Sequence, residues 1–143
     1  MIAARRIALC PDGIAPHDPD PEETARRDVE LVHGWDESAG GVIGFGEGGW
    51  QAVELAARQR TTVERLVLVS TPPLEAEHAP GLEAVDAKTL LLYGSRDGGQ
   101  RQAAWWKERV GGRIEMIPGE GREILGRVWA RALSHVAPGT IRA

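Results

Sequence analysis

Reactive or ligand-holding groups gather at a few points along the chain, the sharpest being Gly44-Phe45-Gly46-Glu47-Gly48-Gly49, between an apolar run and a helical pattern. A turn in that position aims backbone amides outward at the positive end of a helix, and Glu47 adds a carboxylate able to act as a base. Gly44, Gly46 and Gly49 also satisfy Gly-x-Gly-x-x-Gly, the spacing of a dinucleotide-binding turn. Two features oppose a nucleotide. The next apolar run ends in Ser70-Thr71 where an acidic ribose ligand belongs, and Glu47 puts negative charge beside a pyrophosphate. A second cluster is Cys10 with Asp12 and His17, a thiol near an imidazole. A lone cysteine ending an apolar strand is nevertheless ordinarily packing. Ser70 ends a strand with no histidine assignable to it. His17, His33, His78 and His135 share no ligand spacing, so neither a metal nor a cofactor is expected.

The elements that must hold these groups alternate. Apolar runs rich in Val, Ile and Leu cover residues 7–10, 41–45, 65–70, 89–93 and 113–117, without the polar alternation of a half-exposed sheet. That is the pattern of parallel strands buried on both faces. Between them lie helical stripes. The first starts at Asp20-Pro21-Glu22-Glu23, a capping residue followed by proline and two acids at the positive end of the dipole, and carries Ala25, Val29 and Val32. The second, residues 48–60, turns Ala52, Val53 and Ala56 inward. The third, residues 100–110, groups Ala103, Trp106 and Val110. The fourth, residues 122–136, groups Leu125, Val128, Trp129, Ala132 and Val136. Trp50 and Trp105 fall off these stripes and are available to line a pocket or an interface. Strand and helix in alternation predict an α/β fold, a small parallel sheet of about five strands with flanking helices. Ligands of such sheets bind beyond the carboxyl ends of the strands. That edge collects Asp12, Gly46, Glu47, Thr71, Asp97 and Arg122. Residues 71–87, with three prolines, form the longest connection and read as a reduced lid or irregular turn.

Composition removes whole classes of function. At 143 residues the chain suits a single domain, residues 1–143. Its 17 basic and 21 acidic residues are interspersed, leaving net −4 and no basic stripe for nucleic acid. One cysteine permits no internal disulfide and suits a reducing cytoplasm. No stretch has the length and apolarity of a signal or a membrane span.

The turn resembles that of the α/β-hydrolase superfamily, where it reads Gly-x-Ser-x-Gly-Gly with the serine on a strained elbow. Residues 51–60 and 63–73 are similar to the elbow helix and the following strand. Residues 88–97, Lys-Thr-Leu-Leu-Leu-Tyr-Gly-Ser-Arg-Asp, resemble the strand and loop that end in the triad acid. Residues 113–122 resemble the last strand and the Gly-x-Gly-His loop of the base. The resemblance covers about two thirds of the chain and implies a truncated α/β-hydrolase-like fold. Carried over position by position, it puts Gly46 at the nucleophile, Asp97 at the acid and Arg122 at the base. Glycine has no side chain to attack with, and a guanidinium stays protonated and accepts no proton. An acid alone orients nothing, since its part is to hold the activating imidazole. Asp97 then reads as a helix cap or as an ion-pair partner of Arg122.

The same resemblance makes residues 7–13 look like the family's fourth strand, which leaves the preceding strand and its oxyanion loop missing. Helices crossing in one direction then cover one sheet face, leaving the other to the final helix or to a second subunit; an exposed apolar face predicts a homodimer. The expected function is non-catalytic binding of a small molecule or a partner protein. The alternatives are a hydrolase or lyase working through Glu47 or Asp12, and dinucleotide binding through the glycine turn.

Overall fold

The computed structural model describes residues 5–11, 18–74 and 81–139. Its elements are β1 (Arg5–Cys10), α1 (Pro21–Ala25), β2 (Val29–His33), β3 (Gly41–Phe45), α2 (Gly48–Arg58), β4 (Arg65–Val69), β5 (Lys88–Gly94), α3 (Gly99–Val110), β6 (Arg113–Ile117) and α4 (Leu125–Val136), with a 3₁₀ turn at Leu82–Ala84. The strands form one sheet in the order β2-β1-β3-β4-β5-β6, and every neighbouring pair is parallel. Parallel strands covered on both sides must be apolar throughout. Accordingly Ile7, Ala8, Leu9 and Cys10, and Leu66, Val67, Leu68 and Val69, are wholly buried. Among the described residues no helix is long and apolar enough to cross a membrane.

Six strands replace the expected five, because residues 29–33 are an edge strand and not part of the first helix. That helix stops at Ala25, where the Arg26 amide closes its last turn on the Glu22 and Glu23 carbonyls. Asp20 does cap it, accepting from the Glu23 amide at 3.2 Å. The stripe Ala25, Val29, Val32 fits a helix by coincidence. Val29 and Leu31, two apart, pack on one face of the sheet, the spacing of a strand. Glu30 pairs across to Arg6 at 2.9 Å, fixing β2 against β1. The last helix begins at Leu125 instead of residue 122, since the Ile124 amide bonds the Arg122 carbonyl in a tighter turn.

From β1 the chain first steps outward to β2 and then returns to the other side of β1 to continue through β3 to β6. With right-handed crossovers, that reversal sends helices to opposite faces. α2 and α3 bury Ala52, Val53, Ala56, Ala103 and Trp106 on one face. α4 buries Val128, Trp129, Ala132, Leu133 and Val136 on the other, against Ile7, Leu9, Ile43, Val67 and Leu90. The face expected to fall to the final helix or to a second subunit is covered by the chain's own final helix. α1 is tied to that helix by the Trp129 indole donating to Thr24 Oγ1 at 2.9 Å and by Arg27 reaching the Ala130 carbonyl.

The reversal also corrects the placement of the first segment. β1 lies beside β3, in register Cys10 to Gly44, and the Cys10 and Pro11 carbonyls stand against Gly48, so a strand does flank the glycine turn. The expected loss of that strand does not hold. A topological switch point now falls between the carboxyl ends of β1 and β3, where open α/β sheets have their crevice.

The opposite edge carries a pH-sensitive contact. The half-buried His135 imidazole donates from Nε2 to the Lys88 carbonyl at 2.8 Å. Burial nevertheless lowers its pKa below the ordinary 6.5, against the carbonyl's upward pull. A histidine depressed in the folded state contributes stability above its unfolded pKa and loses it as pH falls through the folded one. Melting temperature is expected to drop as pH falls below the ordinary imidazole value of 6.5, and the drop should shrink in His135→Gln. An equal drop in the variant, measured by thermal unfolding at stepped pH, would remove His135 as its cause.

Candidate functional site

The turn after β3 is an elbow. Gly46 is buried and has φ +58°, the left-handed conformation that glycine adopts without strain. Its amide donates to the Val69 carbonyl at 2.8 Å, and its own carbonyl accepts from the Gly49 amide at 3.0 Å, so the bend is fastened at both ends. Close approach explains the other glycines. A Cβ at Gly48 would stand 2.3 Å from the carbonyl oxygens of Cys10 and Pro11. One at Gly49 would meet Thr71 Oγ1 at 2.0 Å, and one at Gly44 would meet the Gly49 Cα at 2.5 Å. The glycine spacing is thus accounted for by packing of β1, α2 and residue 71 around the turn. It needs no pyrophosphate.

The start of α2 is a poorer anion site than its sequence implies. The amides of Gly49 and Trp50 already close short turns on the Gly46 and Glu47 carbonyls. Glu47 is exposed and makes no capping hydrogen bond. Thr71 is wholly buried and acts as a brace. Its carbonyl accepts from the Tyr93 hydroxyl at 2.5 Å and the Trp106 indole at 2.9 Å, while its own Oγ1 has no hydrogen-bond partner and rests on Gly49. Asp12 and His17 lie outside the described residues. Cys10 is fully buried, and burial pushes its thiol up to about 12, so it is packing and supplies no thiolate at neutral pH.

The acid and base positions do come together. Asp97 and Arg122 line one small cavity of about 120 Å³ with Ser70, Arg96 and Gln102. The Asp97 carboxylate reaches toward the base loop, with Oδ2 3.0 Å from where a Gly121 Cβ would stand. It neither caps α3, whose N-cap is Gly98 without a side-chain bond, nor forms an ion pair with Arg122 among those of the described residues.

Ser70, legible in the sequence only as a strand-terminal serine without a histidine, has a backbone that its residue type does not signal. Asp97 and Ser70 are the described non-glycine residues with positive φ, at 57° and 54°. Both face the same cavity, and such strain persists only where surrounding structure holds it. In Ser70 the hold is visible, because its amide donates to the Leu92 carbonyl at 3.0 Å and its Oγ to the Arg122 carbonyl at 2.8 Å. A strand-terminal serine carries no sequence signal of a left-handed backbone.

What this edge can do chemically follows from its partners. The Ser70 hydroxyl bonds a carbonyl, which cannot accept its proton for transfer. Among the described residues no imidazole bonds a hydroxyl or a thiol. His33 ends the outer strand β2, and His135 serves Lys88 at the far end of β5. Nor do three His, Cys, Asp or Glu side chains among the described residues converge as metal ligands.

No family model matches the chain, and no curated protein does. Solved structures do. A CIB-like hydrolase from Thermoplasma acidophilum superposes with TM-score 0.68 at 13% identity, over 90% of this chain and 84% of that one. Carboxylesterase CesB from Bacillus subtilis gives TM-score 0.70 at 13% identity, over 95% and 85%. Est1E from Butyrivibrio proteoclasticus gives 0.63 at 9%, over 92% and 86%. Identities this low speak for architecture alone. With one parallel six-stranded sheet and helices on both faces, the chain has the α/β-hydrolase fold.

Proposed function

We propose that this protein binds a small molecule at the carboxyl ends of its strands and does not hydrolyse esters there. One observation supports the reading above the others: the elbow keeps the backbone bend of a nucleophile turn at Gly46 while offering no side chain. Arg122 at the base position strengthens it, because a permanently protonated guanidinium cannot activate a hydroxyl. The single buried Cys10 suits a cytoplasmic setting.

A second reading draws on Glu47, an exposed carboxylate one residue past the elbow with no capping bond. As a general base it would make the scaffold a hydrolase or lyase of another kind. Activated esters and thioesters separate the two. The native protein is expected to turn over none of them faster than buffer. Turnover that vanishes in Glu47→Gln would overturn the binding role and establish the carboxylate as the base.

A further inference from the structure

A groove of about 950 Å³ runs along the outer side of α2, walled by that helix on one side and by Leu74 and the 3₁₀ turn on the other. Its volume is at the upper end of ordinary ligand pockets, about 300–1000 Å³. It starts at the elbow, since Glu47 lines it, and ends near Arg58; at the helical rise that span is about 16 Å long. The lining is apolar along its length, through Trp50, Val53, Ala57, Leu74 and Leu82. Trp50, off the buried stripe in sequence, is held in place by its indole N–H on the Pro72 carbonyl at 2.9 Å.

The charges in the groove are unequal in what they have left to offer. Arg58 pairs with Glu54 at 2.8 Å and stands 5.8 Å over the Trp35 ring, so its cation is engaged twice. Glu54 is neutralised by the same pair. Glu47 has no ion pair among the described residues and sits three positions before Trp50, on the same side of the helix. A carboxylate beside an indole is the pairing that recognises an ammonium group, while among the described lining residues an incoming carboxylate would find no unengaged cation.

We infer that this groove binds a cationic amphiphile, an alkyl or aryl body along α2 with its ammonium group at Glu47 and Trp50. The inference deepens the binding role proposed above and rests on it.

Isothermal titration with octyltrimethylammonium, octanoate and octan-1-ol, below micelle formation and with circular dichroism to verify the fold, tests it. The ammonium should bind at least about tenfold tighter than octanoate, and added salt should narrow the gap. Glu47→Gln should remove the discrimination and leave octan-1-ol binding as it was. Ala57→Trp, which fills the groove without touching Glu47, should abolish binding of all three. Octanoate binding as well as the ammonium, ammonium binding indifferent to Ala57→Trp, or no binding of any probe would each overturn the inference. None of these results bears on ester turnover, whose appearance would instead overturn the binding role itself.

Discussion

The double variant Gly46→Ser with Arg122→His should hydrolyse p-nitrophenyl acetate about 10²-fold faster than Gly46→Ser alone, the ordinary contribution of a placed general base. The expectation rests on geometry the chain has kept. At φ +58° the backbone of residue 46 is already bent as an exposed nucleophile requires, at a cost to serine of about 1–2 kcal/mol. The loop bearing residue 122 is pinned by the Ser70 hydroxyl on its carbonyl at 2.8 Å. Asp97 faces that loop and is available to orient an imidazole placed there. Neither single variant should exceed buffer appreciably, since a serine without a base and an imidazole without a nucleophile are both inert. A double variant that folds but is no faster than Gly46→Ser would mean that the loops no longer hold catalytic distances.

The largest effect on stability should come from Trp106→Ala, a loss of about 3–5 kcal/mol. Trp106 is wholly buried between α3 and the sheet, so its removal leaves a large cavity in the α2–α3 face. It also ties an element to the site, because its indole shares the Thr71 carbonyl with the Tyr93 hydroxyl. Trp106→Phe separates the two roles. It retains most of the volume and drops the hydrogen bond, for a loss of about 1–2 kcal/mol. Urea unfolding of the three proteins measures both steps; a phenylalanine variant as unstable as the alanine one would place the energy in the hydrogen bond instead of the packing.

Much of this arrangement is written locally in the chain, and the rest is not, for identifiable reasons. The β3–turn–α2 unit is legible because close approach and left-handed φ both demand glycine, and glycines leave a visible signature at residues 44, 46, 48 and 49. The buried stripes of α2, α3 and α4 are legible because burial imposes a helical period. β2 is not, since Val29 and Val32 satisfy a helical stripe as well as a strand, and only pairing with β1 decides between them. Strand order is a non-local property, so the position of β1 beside β3 escapes any local pattern. The strained backbones of Ser70 and Asp97 escape for the opposite reason: residue type says little when a rare φ is imposed by neighbours. Loop motifs alone put Asp97 and Arg122 at one edge of the sheet, and coordinates add that they line one cavity without a mutual ion pair among the described residues.

The groove on α2 shows the same division. Trp50 was marked by falling off the buried stripe, yet its companions Leu74 and Leu82 come from a connection with no periodicity. The engaged state of Arg58 depends on Trp35, which precedes it by more than twenty residues and enters from the β2–β3 loop.

The proposed binding role requires that no activated nucleophile stand at the carboxyl edge of this sheet. Intact-mass analysis after prolonged exposure of the native protein to a fluorophosphonate, which reacts with activated serines, tests it most directly. An unchanged mass is expected, because Gly46 has nothing to modify and the Ser70 hydroxyl bonds the Arg122 carbonyl. A stoichiometric adduct mapping to Ser70 would contradict it.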